Sequence, residues 1–370
     1  MKTCSLLFIG LLGSALTSFA QTLTIKNSGN RPYTEQVVEI PWERIQEKYP
    51  SIDTSNFQVL HATSKEEIVY QLEYKGAKTI THLLVQVSVP AKSTLKLLIR
   101  KGKHKPFAPK TYCRYVPERK DDFAWENDRI AFRMYGKALE GTSEDAKGID
   151  VWVKRTDRLV LNDRYKRGEY HVDHGDGLDY YHVGFSLGAG NCAPFVKDSV
   201  WYSGNYQSYK ILDNGPLRST FTLFYHEWNV AGQRVGVSKT ISLDAGSQLS
   251  KVEASYTFAG ESLPIAIGIV KRPEPAIQLL DEQKGIMAYW EPEHGKDGIT
   301  AVGTILSSPA ERTLSTNRQL LTVKNAVAGK PLIYYTGAAW NKAGVFTSPE
   351  KWFEYLKAFQ ERLKTPLEVE

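Results

Sequence analysis

The chain has 370 residues, a formal net charge of +6 and 11% aromatic residues. Its length predicts more than one folding unit. Lys and Arg are interspersed with Asp and Glu, which argues against a nucleic-acid partner, and the mild positive excess suits an anionic ligand such as an acidic oligosaccharide or polysaccharide.

Residues 1–20 have the form of a secretory signal peptide. Lys2 supplies the positive charge, residues 6–12 the apolar run, and Ala20 the small residue before a cleavage point at Gln21. The run is short for a membrane span. No other stretch is long and apolar enough, so no membrane insertion is expected. Cys4 precedes the apolar run, where a lipid anchor would need a cysteine after it. A periplasmic or secreted location is therefore expected. Cys113 and Cys192 would remain, and both a disulfide and two separate thiols are open. There is no CxxC and no zinc-type Cys/His spacing.

Residues 21–108 predict a small N-terminal β-sandwich. Strand-like runs at 37–40, 57–60, 68–74, 83–89 and 95–99 are separated by turn residues. One short helix is expected over 41–48, and 101–106 reads as a linker. Residues 109–370 predict a second unit with longer strands, at 129–135, 148–154, 217–228, 235–243, 250–258, 264–270, 286–290 and 332–338. No βαβ alternation occurs, so a large antiparallel β-sandwich is expected, mainly β overall. Near the end, Ser348 is placed to cap a helix, Pro349 suits its first position, and Glu350 complements its positive end. Trp352, Leu356, Phe359 and Leu363 recur at helical spacing and predict a C-terminal helix docked on the sandwich.

Two stretches carry chemistry. Residues 170–190, YHVDHGDGLDYYHVGFSLGAG, hold His171, His174 and His182 among Asp173, Asp176, Asp179, Tyr170, Tyr180 and Tyr181. Gly175 and Gly177 discourage a helix. Imidazole titrates nearest working pH, and carboxylates beside it can orient it. The alternative is a polar turn whose histidines only cap and hydrogen-bond. His171 and His174 with Asp176 could hold a divalent metal, although that spacing is loose and no cofactor is expected.

Residues 125–135 form the second stretch. Read as one strand, they put Trp125, Asn127, Arg129, Arg133 and Tyr135 on a polar face and Ile130, Phe132 and Met134 on a core face. Arginine forks match carboxylate oxygens, and flat rings can stack on sugars. A solvated face is the alternative. Residues 201–209 add a polar-aromatic segment with Tyr202 and Tyr206. His226 shares a strand face with Thr222, Phe224 and Trp228. There is no GxSxG elbow, P-loop or HExxH.

The motifs DDFAWENDRIAFRMYG, GIDVWVKR, YHVDHGDGLDYYHVGFSLGAG and YSGNYQSYKILDNGPLRSTFTLFY resemble a secreted Bacteroidota family labelled a domain of unknown function. The resemblance covers nearly all of the chain after residue 20. Members of that family tend to be encoded in polysaccharide-utilisation gene clusters. The resemblance implies a galactose-mutarotase-like β-supersandwich. A weaker similarity is to ulvan oligosaccharide dehydratases, which act on uronate ends.

The resulting expectation is an exported carbohydrate-active enzyme, a lyase or dehydratase that performs elimination on uronate-containing oligosaccharides. Arg129 and Arg133 would neutralise the uronate carboxylate. His174 or His226 would take the C5 proton, and Tyr206 or Tyr181 would protonate the leaving oxygen. Asp176 and Asp179 would orient histidine. Trp125, Asn127, His171 and Tyr202 complete the expected substrate contacts. A glycoside hydrolase, a mutarotase-like epimerase and a non-catalytic glycan-binding protein are the alternatives.

Overall fold

In a computed structural model, residues 22–104 and 106–370 are described. The expected signal segment lies outside the described residues. Among the described residues, no helix is long and apolar enough to cross a membrane.

The N-terminal region is a sandwich of two antiparallel sheets. One orders its strands Glu368–Val369, Thr22–Asn27, Ser93–Lys101 and Phe57–His61; the other orders Tyr33–Pro41, His82–Val89 and Tyr70–Glu73. Strand side chains alternate between faces, so Leu23, Ile25, Ile40, Leu83, Val85 and Leu97 meet between the sheets. The short helix Trp42–Lys48 buries Trp42 and Ile45. Glu368–Val369 pairs with Thr22–Asn27, so the end of the chain is part of the N-terminal sandwich.

The larger body has a nine-stranded antiparallel layer. Its continuous order is Ser208–Asn214, Arg218–Phe224, Gln233–Asp244, Leu249–Thr257, Leu332–Trp340, Thr300–Leu306, Ile286–Trp290 and Ile277–Asp281. Trp228–Val230 pairs beside Gln233–Asp244. Two five-stranded sheets face it. One contains Thr111–Val116, Asp122–Asn127, Ala131–Met134, Ile149–Lys154 and Gly177–Asp179; the other is centred on Ala189–Val196, Ser262–Val270 and Gln319–Val327. The two sheets meet at a bridge between Ile149 and Gly188. A Cβ on Gly148 would collide with the Gly188 backbone, so glycine is what lets the chains approach. The core between the layers includes Phe123, Trp125, Phe132, Phe221, Ile241 and Tyr334. This is the large antiparallel supersandwich with a smaller β-sandwich at its N-terminal end.

The C-terminal helix spans Pro349–Lys364. Trp352 and Leu356 are fully buried against Ile286, Ala288, Ala301 and Ile305, on the far face of the nine-stranded layer. Ser348 occupies the N-cap position but makes no capping bond with its side chain. Fully burying a leucine contributes about 1.5–3 kcal/mol, whereas a charge at a helix end contributes about 0.3–1 kcal/mol. Docking therefore holds this helix more than capping does.

The run 125–135 is not one strand. Asn127 Oδ1 accepts the N–H groups of Arg129 and Ile130, and this side-chain turn ends Asp122–Asn127 before Ala131–Met134 begins. The expected strand 217–228 likewise ends at Phe224. Cys113 and Cys192 are free, buried thiols, and burial pushes Cys113 up to about 12.

Candidate active site

The sheet built from Asp122–Asn127, Ala131–Met134, Ile149–Lys154 and Gly177–Asp179 sends Phe123, Trp125, Phe132, Val151, Val153 and Leu178 into the core. Its opposite face carries Asp122, Arg133, Asp150, Trp152 and Asp179. Register puts Asp150 across from Arg133 and Asp179 beside Trp152. Arg133 Nε and Nη2 donate to Asp150 Oδ2 at 2.9 and 2.5 Å; Nη2 also reaches Asp179 Oδ2 at 3.1 Å. Nη1 reaches Asp122 Oδ2 at 3.4 Å. The guanidinium stands 5.2 Å from the Trp152 ring and 4.9 Å from Tyr135. Tyr165, from the helix Leu161–Arg167, and Tyr170 cover Trp152.

One guanidinium cannot balance three buried carboxylates, and burial disfavours the charged form. Burial pushes Asp122 up to about 7. Burial, and then the field of Asp150, push Asp179 well above the carboxylate range. Among the described residues, Asp122 Oδ1, Arg119 Nη1 and Trp152 Nε1 have no hydrogen-bond partner.

A second group adjoins the first through Tyr181. Burial raises the Tyr181 phenol far above its usual value, and both Glu291 and Asp150 add to the shift. Arg272 lies over the Tyr181 ring at 4.8 Å. Its Nε donates to Glu291 Oε1 at 2.6 Å, and its Nη1 donates to the His182 carbonyl at 2.6 Å. Burial pushes Glu291 up to about 7. Among the described residues, Tyr181 Oη, Arg272 Nη2 and Glu291 Oε2 are all buried without partners. Beside them the irregular stretch 180–186 exposes His182, and Phe185, 61% exposed, packs on Tyr202 at 4.7 Å. The arrangement offers a protonated phenol, a carboxyl that titrates near neutrality and an unfilled guanidinium N–H: the parts needed for proton transfer beside an anion.

The structure places Arg133, Asp179, His171 and Tyr181 in this tract. His171 Nδ1 lies 2.7 Å from the Asp179 carbonyl oxygen and 3.7 Å from its carboxylate. Asp176 lies at its border and pairs with Arg164 and Arg167 rather than with a histidine. His174 approaches Glu169 at 3.6 Å. His226 is exposed in the irregular stretch between Phe224 and Trp228, and neither it nor His174 belongs to the buried groups described above. Tyr206 is buried and donates to the Asp121 carbonyl at 2.5 Å, on the opposite side of the strand from Arg133. Tyr202 accepts a bond from Gln319.

The proposed arginine clamp is corrected. Arg129 belongs to the 127–130 turn and pairs with Glu35 of the N-terminal sandwich at 2.5 Å, while Arg133 is enclosed by its three aspartates. Trp125 is a core residue whose Nε1 donates to Ser250. Asn127 holds the turn and donates to the Asp244 and Ser247 carbonyls. Both spend their polar atoms on bonds inside the fold. Asp122, Asp150, Arg272 and Glu291 were not singled out from sequence. Asp150 alone carried a signal, as a charge inside the apolar run IDVWVK.

Among the described residues, His171 and His174 do not form a metal-binding group. Glu39, Glu73 and His82 are close enough to do so. Arg218 bonds both glutamates and Lys75 lies within 3.6 Å of both, so cations of the chain already fill that junction.

A relative from Formosa agariphila, described as uncharacterized protein P7, is 30% identical over 368 residues, covering 94% of this chain and 92% of the relative. An alpha-mannosidase from Enterococcus faecalis superposes with a TM-score of 0.52 at 8% identity, and a glycosyl hydrolase family 38 protein from the same organism with 0.51 at 9%. Each alignment covers 94% of this chain but 45% and 47% of those structures, so the chain spans less than half their length. The likeness is one of fold. The profile of the family described as "Domain of unknown function (DUF4861)" matches residues 25–369, and the chain belongs to that family.

Proposed function

We propose that this protein is an exported carbohydrate-active enzyme that eliminates the C4 oxygen substituent from a uronate unit of an oligosaccharide. The observation that carries the reading is the set of unfilled groups on Tyr181, Arg272 and Glu291. Arg272 Nη2 faces the uronate carboxylate and stabilises the charge that grows there. Glu291, in its carboxylate form, takes the C5 proton. The C5–H electron pair forms the C4–C5 double bond, and the C4–O bond breaks. Tyr181 stays protonated at working pH and gives its proton to the departing oxygen. If that oxygen leaves as water the enzyme is a dehydratase; if it leaves on a sugar the enzyme is a lyase. Phe185 and Tyr202, their rings tilted by 53°, give the sugar aromatic contacts at the same edge. Export rests on residues 1–20, and the anionic substrate on the positive net charge and Arg272.

Hydrolysis is the second reading. It is favoured by two buried carboxyl groups, Asp122 and Glu291, that both titrate near neutrality, and by a fold shared with an alpha-mannosidase. Incubating the protein with a panel of acidic oligosaccharides separates the two. Elimination yields a conjugated double bond that absorbs in the near ultraviolet, with mass conserved or lowered by one water. Hydrolysis adds one water and no absorbance. No change in any substrate would remove both.

A further inference from the structure

Asp121 is the turn residue just before the strand Asp122–Asn127, and it and Asp122 serve different surroundings. Asp122 joins the Arg133 cluster, and Asp121 lines a separate pocket of about 270 Å³. That pocket lies where Thr111–Val116 passes Ser208–Asn214, at the open edge between the two layers. Its walls are aromatic. Tyr115 and Tyr209 stack with centroids 4.9 Å apart, and Phe123 supports Tyr209 from below at 5.3 Å. Tyr209 is 40% exposed. Its polar groups are fixed in place. The Asp121 carboxylate accepts a bond from Tyr115 Oη, and the Asp121 carbonyl accepts one from Tyr206 Oη. The exposed Lys137 and Ser208 stand at the rim.

The backbone is built to hold Asp121 there. Lys120 and Asp121 have φ of +50° and +63°, a region that residues other than glycine seldom occupy. A Cβ on Gly136 would overlap the Asp121 carbonyl, so only glycine permits this approach. Strained backbone of this kind gathers at binding sites. The volume is below the roughly 300–1,000 Å³ of a drug-sized ligand and suits a single ring. An aromatic face next to hydroxyl and carboxylate groups matches a pyranose, which has an apolar face and a polar rim.

We propose that this pocket is a second carbohydrate subsite, which takes one ring of an acidic glycan on Tyr209 and turns its anionic substituent to Lys137. The inference rests on the carbohydrate reading but not on elimination. The anion could be a carboxylate or a sulfate ester, and both present oxygens to an ammonium.

Calorimetric titration of the full chain carrying E291Q, to slow turnover, tests it with three probes: an oligogalacturonate, a sulfated neutral oligosaccharide and cellotetraose. At least one of the two anionic probes should bind at a site sensitive to Tyr209, and which one does so identifies the anion. Y209A should weaken that site by about tenfold or more, equivalent to about 1.4 kcal/mol. Y209F should keep it, since the ring is what contacts the sugar. K137Q should weaken the anionic probe and K137R should restore it. Wild-type affinity in both Y209A and K137Q, alongside product formation by the unmodified enzyme, would overturn the subsite and leave the enzymatic reading intact. If no probe binds and no acidic oligosaccharide is converted, the carbohydrate reading falls and the subsite falls with it.

Discussion

Arg272 Nε lies 2.6 Å from Glu291 Oε1, and this single bond leaves Arg272 Nη2 and Glu291 Oε2 both buried and unpartnered. An unmade bond at a buried polar group costs about 1–3 kcal/mol, so two on one ion pair are expensive to keep unless a ligand fills them. Tyr181, whose ring lies under Arg272, adds a third unfilled group. E291Q should therefore lower kcat/KM by about 10²–10⁴-fold, the usual contribution of a general base. Y181F should lower kcat with little change in stability, because its hydroxyl bonds nothing among the described residues. Steady-state kinetics on the converted oligosaccharide checks both. Wild-type rates in Y181F would remove the tyrosine from the mechanism.

Stability should fall as pH rises through the weakly acidic range. Asp122 is held up to about 7 from an ordinary 3.8, and Glu291 up to about 7 from 4.5. Below about pH 4 the folded and unfolded chains both hold these protons. Between there and about pH 7 the unfolded chain releases them while the folded chain keeps them, so each unit of pH costs stability. D122N carries no such proton. Its melting temperature, compared with that of the wild type, should rise from pH 4 to pH 7.5. Parallel melting curves across that range would show that Asp122 does not titrate as its burial implies.

Arg133 and Arg129 should respond very differently to alanine. Arg133 makes ion pairs with all three of Asp122, Asp150 and Asp179. Its loss leaves buried acids uncompensated, a change that typically costs about 3–5 kcal/mol. Arg129 and Glu35 form a half-exposed pair, and such pairs contribute about 0.2–1 kcal/mol. Urea unfolding of R133A and R129A measures the difference. R129A should also keep wild-type kcat/KM on a uronate substrate. Equal losses for the two variants would mean that the Arg133 cluster is not the internal ion pair its geometry describes.

Much of the architecture was legible because its causes are local. The alternation in residues 83–89 and 95–99 and the helical stripe of Trp352 and Leu356 need only neighbours along the chain. The density of titratable side chains in residues 170–190 also pointed to Asp179, His171 and Tyr181. What the sequence by itself determined is therefore the β character and the closing helix, and it named three residues of the proposed site. Tertiary structure decided the rest. The hydrogen bonds of Asn127 to its own turn took Arg129 off the Arg133 face, and the end of the strand at Phe224 left His226 in solvent. Asp150 meets Arg133 through strand register, and Glu291 reaches Tyr181 across 110 positions of chain. Register and layer packing depend on which distant strands pair, and no local period encodes that choice.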